Sequence, residues 1–244
     1  MLEVRGLCKR FYGHEVLAQV DLSIRPGEVV GLIGRSGAGK STLARCLVGL
    51  EAPNSGEIRL DGVAVTPGSG QARRRIQYLW QDPTQSLSPF LGALDTVRET
   101  LNGFALGPAA TRAARAGDIL NDLGVKGTMQ HRRPHSLSGG QCQRIALARA
   151  LAAEPDVLIL DEPLSSLDLA TQVSTIRLLR RVHRATSLAM LIVSHDLTPL
   201  RQLADRILVL DDARIIEDIP MPDFAARATH PLSRAYAETL DPAR

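Results

Sequence analysis

The run Gly34-Arg35-Ser36-Gly37-Ala38-Gly39-Lys40-Ser41-Thr42 constrains this chain more than any other stretch. It fits G-x-x-x-x-G-K-[ST], and its flanks fit the strand–loop–helix setting that gives the pattern meaning. Upstream, Glu28-Val-Val-Gly-Leu-Ile33 is a short apolar run between Pro26-Gly27 and Gly34, which predicts a buried strand. Downstream, Leu43, Cys46, Leu47 and Leu50 recur at i, i+3, i+4 and i+7, which predicts a helix with one apolar stripe. Glycines leave main-chain N–H groups bare, and a helix start adds the positive end of its dipole. Such a loop cradles the phosphates of a nucleoside triphosphate. Lys40 is expected on the outer phosphates and the Ser41 hydroxyl on Mg²⁺.

With 244 residues, 44% hydrophobic and 23% charged, the chain reads as a globular domain with room for a subdomain. No apolar run approaches the roughly 18 residues of a membrane span, and Met1-Leu-Glu-Val-Arg5 has no leader-like apolar region. The expected location is therefore the cytoplasm. Cys8, Cys46 and Cys142 form no C-x-x-C pair, which argues against a zinc site or disulfide frame. The net charge is +3, carried by short arginine clusters with no interleaved aromatics, so no nucleic-acid partner is expected.

Residues 2 to 24 read as strands around a turn at Arg10–Glu15, where Tyr12 either stacks on a flat base or caps a sheet edge. Glu57–Leu60 and Val63–Val65 flank Asp61-Gly62 as a hairpin. Pro67–Gly70 reads as a loop, Gln71–Arg75 as a short helix, Ile76–Trp80 as a strand and Thr84–Pro89 as loop. Composition then turns helical, and a helical subdomain is expected over about 88–153 within a domain of 1–220, followed by a peripheral tail, 221–244. Ser138 is a plausible N-cap for a helix through Ala153, and Gly139 and Gly140 at its start point to an anion approaching the backbone.

Val157-Leu-Ile-Leu160 is wholly apolar, as expected of a central parallel strand, and ends in Asp161 and Glu162. Ligands of such sheets bind at the carboxyl ends of the strands. A helix follows over 171–184, with Val173, Ile176, Leu179 and Val182 on one side. Leu188–Val193 is a second buried strand, ending in Ser194-His195-Asp196, and Arg206–Leu210 with Arg214–Glu217 forms a closing hairpin. This set supports phosphoryl transfer: Asp161 in the Mg²⁺ shell, Glu162 as general base, Gln81 on Mg²⁺ or the attacking water, His195 on the γ-phosphate or the water.

With these residues in view, the chain resembles the ATP-binding-cassette (ABC) ATPases, the nucleotide-binding subunits of ABC transporters. The likeness covers Walker A at Gly34–Thr42, a Q-loop at Gln81 and a signature at Leu137-Ser138-Gly139-Gly140-Gln141. It continues with Walker B at Val157–Asp161 plus Glu162, a D-loop at Ser165–Asp168 and the switch His195. It implies an α/β fold: a P-loop NTPase (RecA-like) core, an antiparallel β subdomain and an inserted α-helical subdomain. It implies ATP and Mg²⁺, and a head-to-tail dimer in which Ser138–Gln141 of one subunit closes on the γ-phosphate held by the other, with Asp168 at the shared site. By the same likeness Tyr12 stacks on adenine, Glu162 is the base, and Gln81 links the site to a membrane partner.

A narrower likeness points to the peptide/opine/nickel importer branch. It rests on Gln81-Asp-Pro-Thr-Gln-Ser-Leu-Ser-Pro89 and His230-Pro231-Leu-Ser-Arg-Ala235; Ser41–Glu51 is similar to the second ATPase of nickel importers. The branch implies a paralogous partner ATPase, two membrane permeases and an extracytoplasmic solute-binding protein, with this subunit on the cytoplasmic face of the membrane. Nickel, a metal-chelate or a di/oligopeptide is the implied cargo. A soluble ATPase of an enzyme complex such as carbon–phosphorus lyase is the alternative. Leu164 and Ser166 depart from the usual Thr and Ala of the family's D-loop region.

Overall fold

A computed structural model describes residues 1–66, 70–165 and 167–240, apart from the side chains of Gln71 and Gln85. The expected loop at Pro67–Gly70 and the Ser166 departure thus fall wholly or mainly outside the described residues. Two sheets organise the chain. The first is antiparallel, ordered β2-β1-β4-β5, from β1 (Leu2–Phe11), β2 (His14–Ile24), β4 (Ser55–Leu60) and β5 (Val63–Ala64). The second is ordered β10-β9-β3-β8-β7-β6. Its strands β3 (Val29–Ile33), β6 (Ile76–Leu79), β7 (Val157–Asp161), β8 (Ala189–Val193) and β9 (Arg206–Asp211) run parallel, and β10 (Arg214–Pro220) closes it antiparallel.

β3, β7 and β8 are buried along their whole length, which is why these segments are apolar without alternation. β1 and β2 run longer than their sequence signal, and the turn shrinks to Tyr12-Gly13. Register shifts at Val4/Leu7, Leu7/Lys9 and Lys9/Arg10 break the two-residue alternation that would have marked them as continuous. The Asp61-Gly62 turn is the expected one, with both residues at positive φ.

Ten α-helices surround the sheets among the described residues: α1 (Lys40–Leu47), α2 (Gly70–Arg75), α3 (Pro83–Ser86), α4 (Ala93–Gly103), α5 (Arg112–Asp122), α6 (Gly139–Ala152), α7 (Leu169–Thr186), α8 (Leu197–Leu200), α9 (Phe224–Arg227) and α10 (Pro231–Glu238). α4, α5 and α6, which fall between β6 and β7 in chain order, pack together and bury Val97, Leu101, Ala116, Leu120 and Ile145. No helix of the described residues is long and apolar enough to cross a membrane.

Four local expectations need correction. Leu50 lies beyond α1 and is exposed, because the helix stops at Leu47 and Gly49 turns the chain at φ 70°. Within 84–89, expected as loop, α3 forms because Asp82 accepts the Thr84 N–H and Pro83 fits the first helical turn. Val173 faces outward, while Ile176, Leu179 and Val182 are buried. The segment after 220 is not merely peripheral: Phe224 is fully buried in the main core. Glu217 holds α10 beside it. Its carboxylate accepts the N–H groups of Thr229 and His230 and the Thr229 hydroxyl, and His230 caps α10 ahead of Pro231. Burial alone would raise the Glu217 pKa; these bonds and the neighbouring Ser233 hydroxyl outweigh it and hold the carboxyl at about 2.

Candidate active site

The phosphate loop joins β3 to α1 at the carboxyl edge of the parallel sheet. Two of its glycines are demanded by space. A Cβ at Gly34 would lie 2.1 Å from the Leu210 carbonyl oxygen of β9. One at Gly39, which has φ +102°, would lie 2.6 Å from the Val16 carbonyl oxygen of β2. The loop is therefore wedged between both sheets. Gly39 starts α1 with no side-chain cap on the helix's first N–H groups. Lys40 is 7% exposed, and its Nζ donates to the carbonyl oxygens of Gly34 (2.8 Å) and Arg35 (2.9 Å). Burial lowers its pKa, opposed by the charges of Glu162 and Asp161. Arg35 also reaches Asp211 at 4.0 Å.

Asp161 ends β7 and is 4% exposed. The Ser41 hydroxyl donates to its Oδ1 at 3.2 Å, and the Tyr78 hydroxyl donates to its Oδ2 at 2.5 Å. Glu162 follows at φ 50°, a left-handed conformation uncommon for a side-chain-bearing residue, with its N–H on the Val193 carbonyl. Its Oε2 lies 2.7 Å from Nδ1 of His195, just past β8. Lys40, Ser41, Asp161, Glu162 and His195 thus share one site. A hydroxyl and a carboxylate oxygen facing each other beside a phosphate loop suit Mg²⁺, which takes few protein ligands and keeps waters and phosphates.

The remaining sequence-predicted residues lie elsewhere. Tyr12 is fully exposed at the tip of the β1–β2 turn. Gln81 is exposed in the bend after β6. Ser138 and Gly139 are exposed at the start of α6, and among the described residues no hydrogen bond joins them to the phosphate loop. Ser138 and Gln141 instead bond reciprocally: the Ser138 hydroxyl accepts the Gln141 N–H, and the Gln141 side chain accepts the Ser138 N–H. A Cβ on Gly140 would press on Thr171 at 3.1 Å. Asp168 caps α7 through the Thr171 N–H (3.0 Å) and hydroxyl (2.6 Å), which lower its pKa. Sequence reasoning missed Tyr78 and Gln143. Tyr78 had a readable signal: a phenol in a buried strand needs an acceptor for its hydroxyl. Gln143 had none; it is buried in α6, donates to the Pro163 carbonyl just after Glu162 at 2.5 Å and accepts the Thr175 hydroxyl at 3.4 Å.

A glycine-lined loop between β3 and α1, with two carboxylates at the end of a parallel strand, defines a P-loop NTPase. The ABC transporter profile matches residues 17–165, and the chain belongs to that family. A protein of Brucella ovis named for peptide import ATP binding is 40% identical over 248 residues, covering 98% of this chain and 78% of that protein. A second one so named, from Brucella abortus, is 38% identical over 240 residues, covering 95% and 72%. The ATP-binding cassette MJ0796, solved as a post-hydrolysis dimer bound to ADP and Pi, superposes with a TM-score of 0.79 at 28% identity, covering 91% of this chain and 99% of that one.

Proposed function

We propose that this chain is the ATP-hydrolysing subunit of an ABC importer for di- or oligopeptides, acting at the cytoplasmic face of the membrane. The observation that carries the chemistry is the Glu162–His195 pair at 2.7 Å beside Lys40, Ser41 and Asp161. The peptide assignment is supported by relatives named for peptide import and by the branch likeness at Gln81–Pro89 and His230–Ala235. Nickel and metal-chelates are the other cargoes of that branch.

In this reading the phosphate loop holds ATP, and Tyr12 stacks on its base. Lys40 exchanges the Gly34 and Arg35 carbonyls for the outer phosphates. Ser41, Asp161 and Gln81 would hold Mg²⁺, which would supply charge neutralisation on the phosphates. Glu162 accepts a proton from the water whose oxygen bonds to the γ-phosphorus as the bond to the ADP oxygen breaks. His195 keeps the Glu162 carboxylate aimed and contacts the γ-phosphate. Ser138, Gly139, Gly140, Gln141 and Asp168 serve the nucleotide of a second, paralogous ATPase, and two permeases complete the complex. Residues 1–220 act as the ATPase domain, with 88–153 as the lever toward the permeases and 221–244 as a tail.

The test is reconstitution with the flanking membrane subunits and solute-binding protein in vesicles. Peptide-stimulated ATP hydrolysis is expected. Stimulation by Ni²⁺ or a chelate and not by peptides would move the assignment within the branch. Co-purification with soluble enzyme subunits and no permease would replace the importer reading.

A further inference from the structure

We propose that Tyr78 is a positioning residue for the Mg²⁺ ligand Asp161, holding one carboxylate oxygen so that the other faces Ser41 and the metal. The inference rests on the Mg²⁺–nucleotide reading of this site and assigns a new member to it. Asp161 has two oxygens and is almost wholly buried, so an unheld carboxylate would carry an unmet acceptor. Tyr78 meets it at 2.5 Å from β6, the neighbouring strand, where it lies opposite Ile159. Ser41 meets the other oxygen from α1. The carboxylate is thus fixed from both sides of the strand end.

The phenol is itself held. It is 9% exposed and sits in β6, paired along its length with β7. The Arg45 guanidinium of α1 stands beside the hydroxyl and lies 5.8 Å over the Trp80 ring. Trp80 in turn packs edge-on against Tyr78 with centroids 5.0 Å apart. Arg45, Tyr78 and Trp80 thus join the phosphate-loop helix, the Walker B carboxylate and the strand leading to Gln81. Groups that orient a metal ligand in this way tune affinity by roughly 10–100-fold.

The experiment is calorimetric titration of ADP into the full chain, in excess Mg²⁺ and in EDTA, for wild type, Tyr78→Phe and Arg45→Met. Wild type is expected to bind ADP more tightly with Mg²⁺; a chain that binds ADP without any Mg²⁺ effect would overturn the site reading itself. Tyr78→Phe keeps the ring against Trp80 and removes only the donor. It should lose about 10-fold of the Mg²⁺ enhancement while its EDTA affinity stays as in wild type. An unchanged enhancement, or equal losses with and without Mg²⁺, would overturn the proposal in favour of a packing role. If Tyr78→Phe does not fold, Arg45→Met decides: a smaller loss confined to the Mg²⁺ titration supports the proposal, and its absence rejects it.

Discussion

Two helix starts in this chain carry paired glycines, and they are finished differently. At Gly39 the first N–H groups of α1 have no side-chain cap, the loop is wedged between two sheets, and a lysine and two carboxylates crowd the entrance. At Ser138 the helix carries a reciprocal cap made by its own serine and glutamine, and Gly139 faces solvent. The first is built around a ligand of its own. The second is stable without one, and its exposed backbone suits a phosphate presented by another subunit. In the proposed function the uncapped start holds the subunit's own nucleotide and the capped one serves its partner's.

The contrast can be broken at several points. Glu162→Gln should cut turnover by roughly 10²–10⁴ while ATP still binds, measured as steady-state hydrolysis against equilibrium binding; hydrolysis near the wild-type rate would remove Glu162 as the base. Ser138→Arg should lower hydrolysis by the assembled ATPase pair by about 10²-fold, as for loss of one transition-state donor. The isolated chain should keep its ATP affinity. If that affinity fell too, the two helix starts would serve one nucleotide and the contrast would fail. Lys40→Ala should weaken ATP binding by the isolated chain about 10–100-fold, the worth of charge-assisted hydrogen bonds, read by calorimetry.

The smallest effect concerns the anchor of α10. The Glu217 carboxyl, at about 2, lies below its ordinary 4.5, so its contribution is fully present above pH 4.5 and fades as pH falls toward 2. Protection of the 229–236 amides, measured against their intrinsic exchange rates, should fall across that window. Glu217→Gln should show the lower protection already at neutral pH, with the central strands unaffected.

Much of this was legible from residues alone. β7 and β8 were readable because complete burial leaves no polar position, and the phosphate loop because its neighbours leave no room for side chains. β1 and β2 were blurred because bulges scramble alternation. The docking of Phe224 was hidden because one aromatic in a polar segment has no periodicity to reveal it. At the site, Lys40, Ser41, Asp161, Glu162 and His195 were legible through motif position. Tyr78 signalled only that its hydroxyl needs an acceptor; that the acceptor is Asp161 depends on which strand lies beside β7, and strand order is not written in any local window.

The backbone at Glu162 has one more consequence. A side chain at φ 50° sits in a conformation that glycine occupies freely. Replacing Glu162 with glycine would relax that torsion, and on the proposed function it would also remove the base, so an inactive protein that melts at a higher temperature than the wild type is expected. Thermal scans would read, in degrees, the balance between that relaxed torsion and the lost His195 contact.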